Sequence, residues 1–101
     1  MQALAVQKIQ RKDSSTILRR IAQRDKTALK DSVDNYGDLI WAMARKFTDT
    51  TEDAESVTRE IFLNIWRYAA RFERTNFDEL LFITIIARRQ LRKYKVNQSI
   101  N

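Results

Sequence analysis

Apolar residues recur at helical spacing in four stretches of this chain, and polar breaks separate the stretches. Between Asp25 and Thr48, Leu29, Val33, Tyr36, Ile40, Met43 and Phe47 follow at steps of four, three, four, three and four, one face of a long helix. Asp25 is placed to cap its start. Upstream, Ile17, Leu18 and Ile21 form the apolar face of a short helix that Ser14 or Ser15 can cap and that ends near Arg24. Downstream, Thr50 with Asp53 reads as a capping box in its aspartate form. The helix it opens carries a stripe of Ala54, Val57, Ile61, Ile65, Tyr68 and Phe72, widened by Phe62 and by Trp66, which reads as core. The segment from Arg71 to Asp78 interrupts the period, and Thr75 with Asp78 or Asn76 with Glu79 can cap a last helix. That helix is apolar nearly all round from Leu80 to Ile86, which implies burial, and turns basic from Arg88 to Lys95.

These patterns predict an all-α fold, a compact bundle of about four helices near 15–24, 26–47, 51–72 and 78–95, joined by short loops. The periodic faces assign Ile17, Ile21, Leu29, Val33, Tyr36, Ile40, Ile61, Ile65 and Phe82 to the core. One domain is expected at 15–96, between a polar tail at 97–101 and an arm at 1–14 that reads as a frayed helix or a disordered segment. Gly37 falls inside the second helix at a cost of about 1 kcal/mol relative to alanine, which a tight helix crossing would offset.

Composition supports helices and removes most chemistry. The 101 residues include no proline and one glycine, too few turn residues for a sandwich or barrel. Cysteine and histidine are absent, which excludes disulfides, thiolate nucleophiles, the commonest zinc ligands and a Ser/His/Asp triad. No titratable constellation suited to acid–base work stands out, so the reading is a binding protein, not an enzyme, with no cofactor and no metal site. No apolar run is long enough to span a bilayer and no signal-peptide core opens the chain, so a soluble cytoplasmic protein is expected.

Charge is distributed in blocks. The net charge of +6 resolves into +5 over residues 1–24, −4 over 25–60 and +5 from 61 onward. A basic, acidic, basic order fits two partners, one of them polyanionic; it also fits a dipolar surface kept for solubility. In the last helix Arg88, Arg92 and Lys95, with Arg89 and Lys93, make a ridge of cations on two adjoining stripes. Such a ridge can track phosphates by releasing counterions, or can simply be a solvated helix end that offsets the helix dipole. Before it, the loop mixes Arg71 and Arg74 with Phe72, Phe77, Thr75 and Asn76. Cations that hold a backbone, rings that stack on unpaired bases and amides that read base edges are the materials of single-strand recognition, although both phenylalanines serve equally well as core. Asp49, Glu52, Asp53 and Glu55 crowd the start of the third helix, either as partners of its dipole or as an acidic docking face that Glu60 extends.

With these parts in this order, the chain from about Ser15 to Lys95 resembles the second conserved region of bacterial sigma factors, most closely the extracytoplasmic-function group. The likeness is carried by LRRIAQRDKTALKDSVDNYGDLIWAMARKF, by EDAESVTREIFLNIWRYAARF and by FITIIARRQL. The middle match is the most specific: Asp53, Ala54, Glu55, Glu60, Phe62 and Trp66 fit the family's Asp-Ala-Glu-Asp start, Gln-Glu pair and Phe-x-x-x-Trp spacing. Ser56 stands where the family has an acid, Arg59 where it has glutamine and Lys93 where it has aspartate.

The resemblance implies that the middle helix docks on the clamp helices of the RNA polymerase beta-prime subunit through Asp53, Glu55, Arg59 and Glu60. It implies that the loop and last helix capture the non-template strand of the minus-ten promoter element through Arg71, Arg74, Thr75, Asn76, Phe77, Thr84, Arg88, Arg89 and Arg92. Lys93 joins them as part of the ridge. A complete factor of the group also carries a linker and a helix-turn-helix domain for the minus-thirty-five element. The main rival is a helical interaction protein that binds polymerase or an anti-sigma factor and contacts no DNA. A membrane-surface role is disfavoured, because the last helix separates its apolar and basic halves along its length instead of around its circumference.

Overall fold

The computed structural model describes residues 17–100, with side chains to residue 97. The arm at 1–14 and its candidate caps Ser14 and Ser15 lie outside the described residues, as does Asn101. Helix α1, described over 17–22, is followed by α2 (Lys26–Phe47), α3 (Thr51–Tyr68), a 3-10 helix (Ala69–Arg74) and α4 (Glu79–Ile100). No strand occurs among the described residues, and the all-α reading holds.

Local chemistry explains each boundary. At the end of α1, Arg24 takes φ 67°. The Asp25 N–H donates to the Arg20 carbonyl at 3.0 Å and the Arg24 N–H to the Ile21 carbonyl at 2.9 Å, so orphan carbonyls are satisfied in a Schellman motif without glycine. Asp25 then caps α2, its Oδ1 accepting from the Thr27 N–H at 2.9 Å. Thr50 caps α3, its Oγ1 accepting from the Asp53 N–H at 3.0 Å. The cap of α4 is Asp78, which accepts from the Leu81 N–H at 2.8 Å. Neither expected alternative, Thr75 or Asn76, serves there.

The third helix does not run unbroken to residue 72. It tightens into the 3-10 helix after Tyr68, because Ala69 and Phe72 must both face inward and a three-residue turn stacks them on one side. Phe72 then meets the Phe82 ring edge-on, with centroids 5.4 Å apart. Such a pair contributes about 0.5–1.5 kcal/mol beyond its area. The last helix continues to Ile100, past the expected end near 95.

Helix α3 packs against both α2 and α4. The buried residues of α2 are Ala28, Ser32, Tyr36, Ile40 and Ala44, at steps of four throughout. This is an i±4n ridge, and its small members let the neighbouring helices approach closely. It displaces the expected stripe by one residue at its start, so Leu29 is only half-buried and Val33, expected in the core, is 43% exposed. The other seven expected core residues are buried. Trp66 packs against this core and donates its indole N–H to Ser32 Oγ at 3.1 Å, while Ser32 donates to the Leu29 carbonyl at 2.7 Å. In α4 the buried line is Glu79, Ile83, Ala87 and Leu91, again at steps of four, with Phe82 beside it. Leu80 and Leu81 are exposed, so the first half of α4 is not buried all round: one face suffices to cover α3. Gly37 stands at no tight crossing, since a Cβ there would meet only Val33 Cγ1 of its own helix at 3.7 Å.

Candidate nucleic-acid interface

The loop between the 3-10 helix and α4 is fixed at both ends. At its entrance the Thr75 N–H and Oγ1 both donate to the Phe72 carbonyl, at 3.0 and 2.8 Å, and Phe72 is buried. Thr75 Oγ1 also accepts from the Phe77 N–H at 3.3 Å, a local turn that curls the chain around residue 76. At its exit Asp78 caps α4. Of the two phenylalanines, Phe72 is therefore core and Phe77 is the exposed ring, at 43%. Asn76 is exposed and its amide bonds no described residue. Arg71 lies over the Tyr68 ring at 4.7 Å, which aligns its guanidinium beside the loop, and Arg74 is exposed with no ion pair among the described residues.

The ridge of α4 begins about 13 Å beyond the loop, the rise from residue 79 to 88. Arg88, Arg89, Arg92 and Lys93 are all exposed, and none is in an ion pair among the described residues. Helical winding of about 100° per residue keeps Arg88 and Arg92 within about 40° of each other, with Arg89 and Lys93 on the adjoining stripe. Lys95 differs: its ammonium lies 5.5 Å from the Phe47 ring. Thr84 is half-buried, and its hydroxyl donates to the Leu80 carbonyl of its own helix at 2.8 Å, which leaves only its acceptor capacity to a ligand. The ridge helix is held to α3 midway by Asn64, whose amide donates to Gln90 Oε1 at 2.5 Å.

The four residues expected to dock polymerase do not form one patch. Glu55 and Arg59 share one edge of α3, and Asp53 and Glu60, seven residues apart, share the other. Asp53 is half-buried and turned toward α4: burial, and then the hydrogen bond to the Asp53 carboxylate, raise the Tyr94 phenol above its ordinary value. The acidic start of α3 thus lies beside the basic half of α4. Glu55, Arg59 and Glu60 are exposed. Between the two edges stands Leu63, 40% exposed on an otherwise polar face. Sequence reasoning passed over it, although an apolar residue off the stripe of Ile61 and Ile65 was the signal.

A second residue, which the sequence offers only as a capping-box partner of Asn76, has a different place in the fold. Glu79, in the first turn of α4, is 1% exposed. Its Oε1 accepts from the Leu18 N–H at 2.7 Å and its Oε2 from the Tyr36 hydroxyl at 2.5 Å. Burial pushes its carboxyl above the ordinary 4.5, and the two hydrogen bonds pull the other way. No group of three or more histidine, cysteine, aspartate or glutamate side chains that could hold a metal ion occurs among the described residues, and none of their helices is long and apolar enough to cross a membrane.

The family described as Sigma-70 region 2 matches residues 33–99. Relatives include proteins named ECF RNA polymerase sigma factor SigK from Mycobacterium tuberculosis (strain ATCC 25618 / H37Rv) and Mycobacterium bovis (strain BCG / Pasteur 1173P2). Each is 27% identical over 78 residues, which cover 77% of this chain and 42% of the relative. The chain therefore spans less than half the length of these relatives. No solved structure matches it. The match takes in the whole of α3, the loop and nearly all of α4, the elements that carry the candidate interface, and the chain belongs to the sigma-70 region 2 family.

Proposed function

We propose that this domain docks on RNA polymerase through the exposed face of α3 and captures the non-template strand of a minus-ten promoter element with its loop and the ridge of α4. The observation that carries the reading is the loop itself. It is pinned by Phe72 at one end and capped by Asp78 at the other, yet Asn76 and the Phe77 ring are left exposed, between Arg74 and the exposed cations Arg88, Arg89, Arg92 and Lys93, which form no ion pair among the described residues. That relatives are named RNA polymerase sigma factors supports polymerase as the partner of the α3 face. On α3, Glu55, Arg59 and Glu60 supply charge for orientation and Leu63 supplies an apolar contact among them.

The mechanism is capture, not catalysis. Thermal opening of the duplex unstacks a base at a cost of a few kcal/mol, and stacking on Phe77 with hydrogen bonds to the Asn76 amide and to the remaining lone pair of Thr75 Oγ1 offsets that cost. Arg88, Arg89, Arg92 and Lys93 follow the phosphates of the displaced strand. The setting is the cytoplasm, where polymerase works, and the whole factor would serve transcription initiation.

Phosphate contacts position and base contacts specify, so the two elements should fail differently. Arg88→Ala with Arg92→Ala should weaken binding to every single strand and flatten its salt dependence, because fewer counterions are released. Asn76→Ala should chiefly reduce the preference for a minus-ten strand over a scrambled one, by about 1–3 kcal/mol, and leave the salt slope in place. Binding of both strands at several salt concentrations tests this. Full preference in Asn76→Ala together with an unchanged salt slope in the arginine variant would falsify the DNA reading and leave the polymerase or anti-sigma interaction protein.

A further inference from the structure

Among the described residues, Glu79 is the one carboxylate in the core, and it occupies a position that the steps of four along α4 would give to an apolar side chain. A carboxylate buried without a cation is costly, and it persists where its oxygens are well satisfied. Here each oxygen has a partner on a different helix, the Leu18 N–H of α1 and the Tyr36 hydroxyl of α2. The nearby charged groups are engaged elsewhere: Arg19 with Glu73, Arg20 with Asp25 and Asp31, and Asp78 with the Leu81 N–H. One side chain in the first turn of α4 therefore ties three helices together, immediately after the loop that carries Asn76 and Phe77.

The entrance of that loop is secured by buried Phe72. Its exit is capped at the surface by Asp78, and the turn that follows is held inward by Phe82 against Phe72 and, on the side facing α1 and α2, by Glu79. We propose that Glu79 is a positioning residue for the strand-reading loop: by anchoring the first turn of α4 to Leu18 and Tyr36, it fixes where Asn76 and Phe77 stand. The inference rests on the promoter-strand reading above. In the free protein, too, the loop loses order when the anchor is cut.

Three variants of the full chain separate anchoring from general stabilisation. Glu79→Gln keeps the geometry, since a carboxamide oxygen accepts from Leu18 while its NH2 donates to the Tyr36 oxygen; Glu79→Ala removes the anchor; Tyr36→Phe removes one of its two bonds. Each is assayed well below its unfolding midpoint for two readouts, the affinity ratio between a minus-ten and a scrambled single strand and the hydrogen exchange of amides 75–81. Glu79→Gln should keep the ratio within about twofold, Glu79→Ala should lose about tenfold, the scale of one base-edge contact, and Tyr36→Phe should lose about threefold. Loop amides should exchange faster in the same order. A role in overall stability alone would lower the midpoint and leave both readouts of the folded protein at their wild-type values. If Glu79→Ala does not fold, Tyr36→Phe decides. Wild-type ratio and exchange in Tyr36→Phe, and in Glu79→Ala where it folds, overturn the proposal while the promoter reading stands. A wild-type protein with no strand preference whose loop amides still accelerate in the variants sinks the promoter reading and leaves the anchor in place.

Discussion

Replacing Gly37 with alanine should stabilise the domain, and the size of the gain follows from what surrounds that position. Gly37 lies within α2 at a helical φ, so alanine meets no backbone strain. The added Cβ would find one atom within 4 Å, Val33 Cγ1 at 3.7 Å, an ordinary van der Waals contact with a side chain that is itself on the surface. No neighbouring helix opposes the methyl group, and the full difference in helix propensity, about 1 kcal/mol, should be realised. For a domain of this size that corresponds to a rise of about 4–8 °C in the unfolding midpoint. Thermal and urea unfolding followed by far-UV circular dichroism measure it, with an unchanged urea slope as the sign that only stability has moved. A drop in midpoint would refute the reasoning. It would mean that a second helix passes close to Gly37, as the sequence alone suggested, and that the methyl group overpacks the crossing at about 1–3 kcal/mol.

Ser32→Ala should cost about 1–2 kcal/mol, because it leaves the Trp66 indole N–H without its acceptor, and tryptophan emission should report the change at that site. The pH dependence of stability should carry the mark of Glu79. A carboxyl whose folded pKa lies above the ordinary 4.5 contributes most below that unfolded value and loses its contribution as pH rises through the folded one. The advantage of Glu79→Gln over wild type in urea midpoint should therefore be largest at neutral pH and shrink toward 4.5; a constant difference would contradict the burial of the charge. If the exposed face of α3 docks polymerase as proposed, Glu55→Lys should weaken binding to the beta-prime clamp helices with the fold intact. Asp53→Asn should lower the Tyr94 phenol toward its ordinary value in a spectrophotometric titration, and an unmoved phenol would rule out the contact between them.

Much of the fold could be read in advance where local chemistry and tertiary packing agree. Asp25 and Thr50 cap helices because their side chains reach the N–H groups of the turn that follows, and nothing distant competes with them. Val33 was misplaced because periodicity weights large side chains, whereas the close approach of helices selects small ones: the ridge from Ala28 through Ser32 to Ala44 is buried because it is narrow. Leu80 and Leu81 misled for a related reason, since a continuous apolar run says how greasy a segment is but not which side its neighbours cover. At the candidate site, the materials of the loop were legible, but its division of labour was not. That Phe72 goes inward and Phe77 outward depends on a 3-10 turn whose cause is the position of Phe82, ten residues on in the sequence. The burial of Glu79 could not be read locally. Three residues after Asn76 it reads as a capping-box partner, and only the arrival of Leu18 and Tyr36 from 61 and 43 residues away turns it into a core residue.

The links between α3 and α4 also have a mechanical meaning. Asn64 donates to Gln90 near the middle of α4, and the Asp53 carboxylate acts on the Tyr94 phenol one turn further along, so α3 meets the basic half of α4 at more than one level. A 22-residue helix is a rod about 33 Å long. A strand held along that rod and a protein on the flank of α3 would therefore act on two helices packed against each other, joined by the Asn64–Gln90 bond.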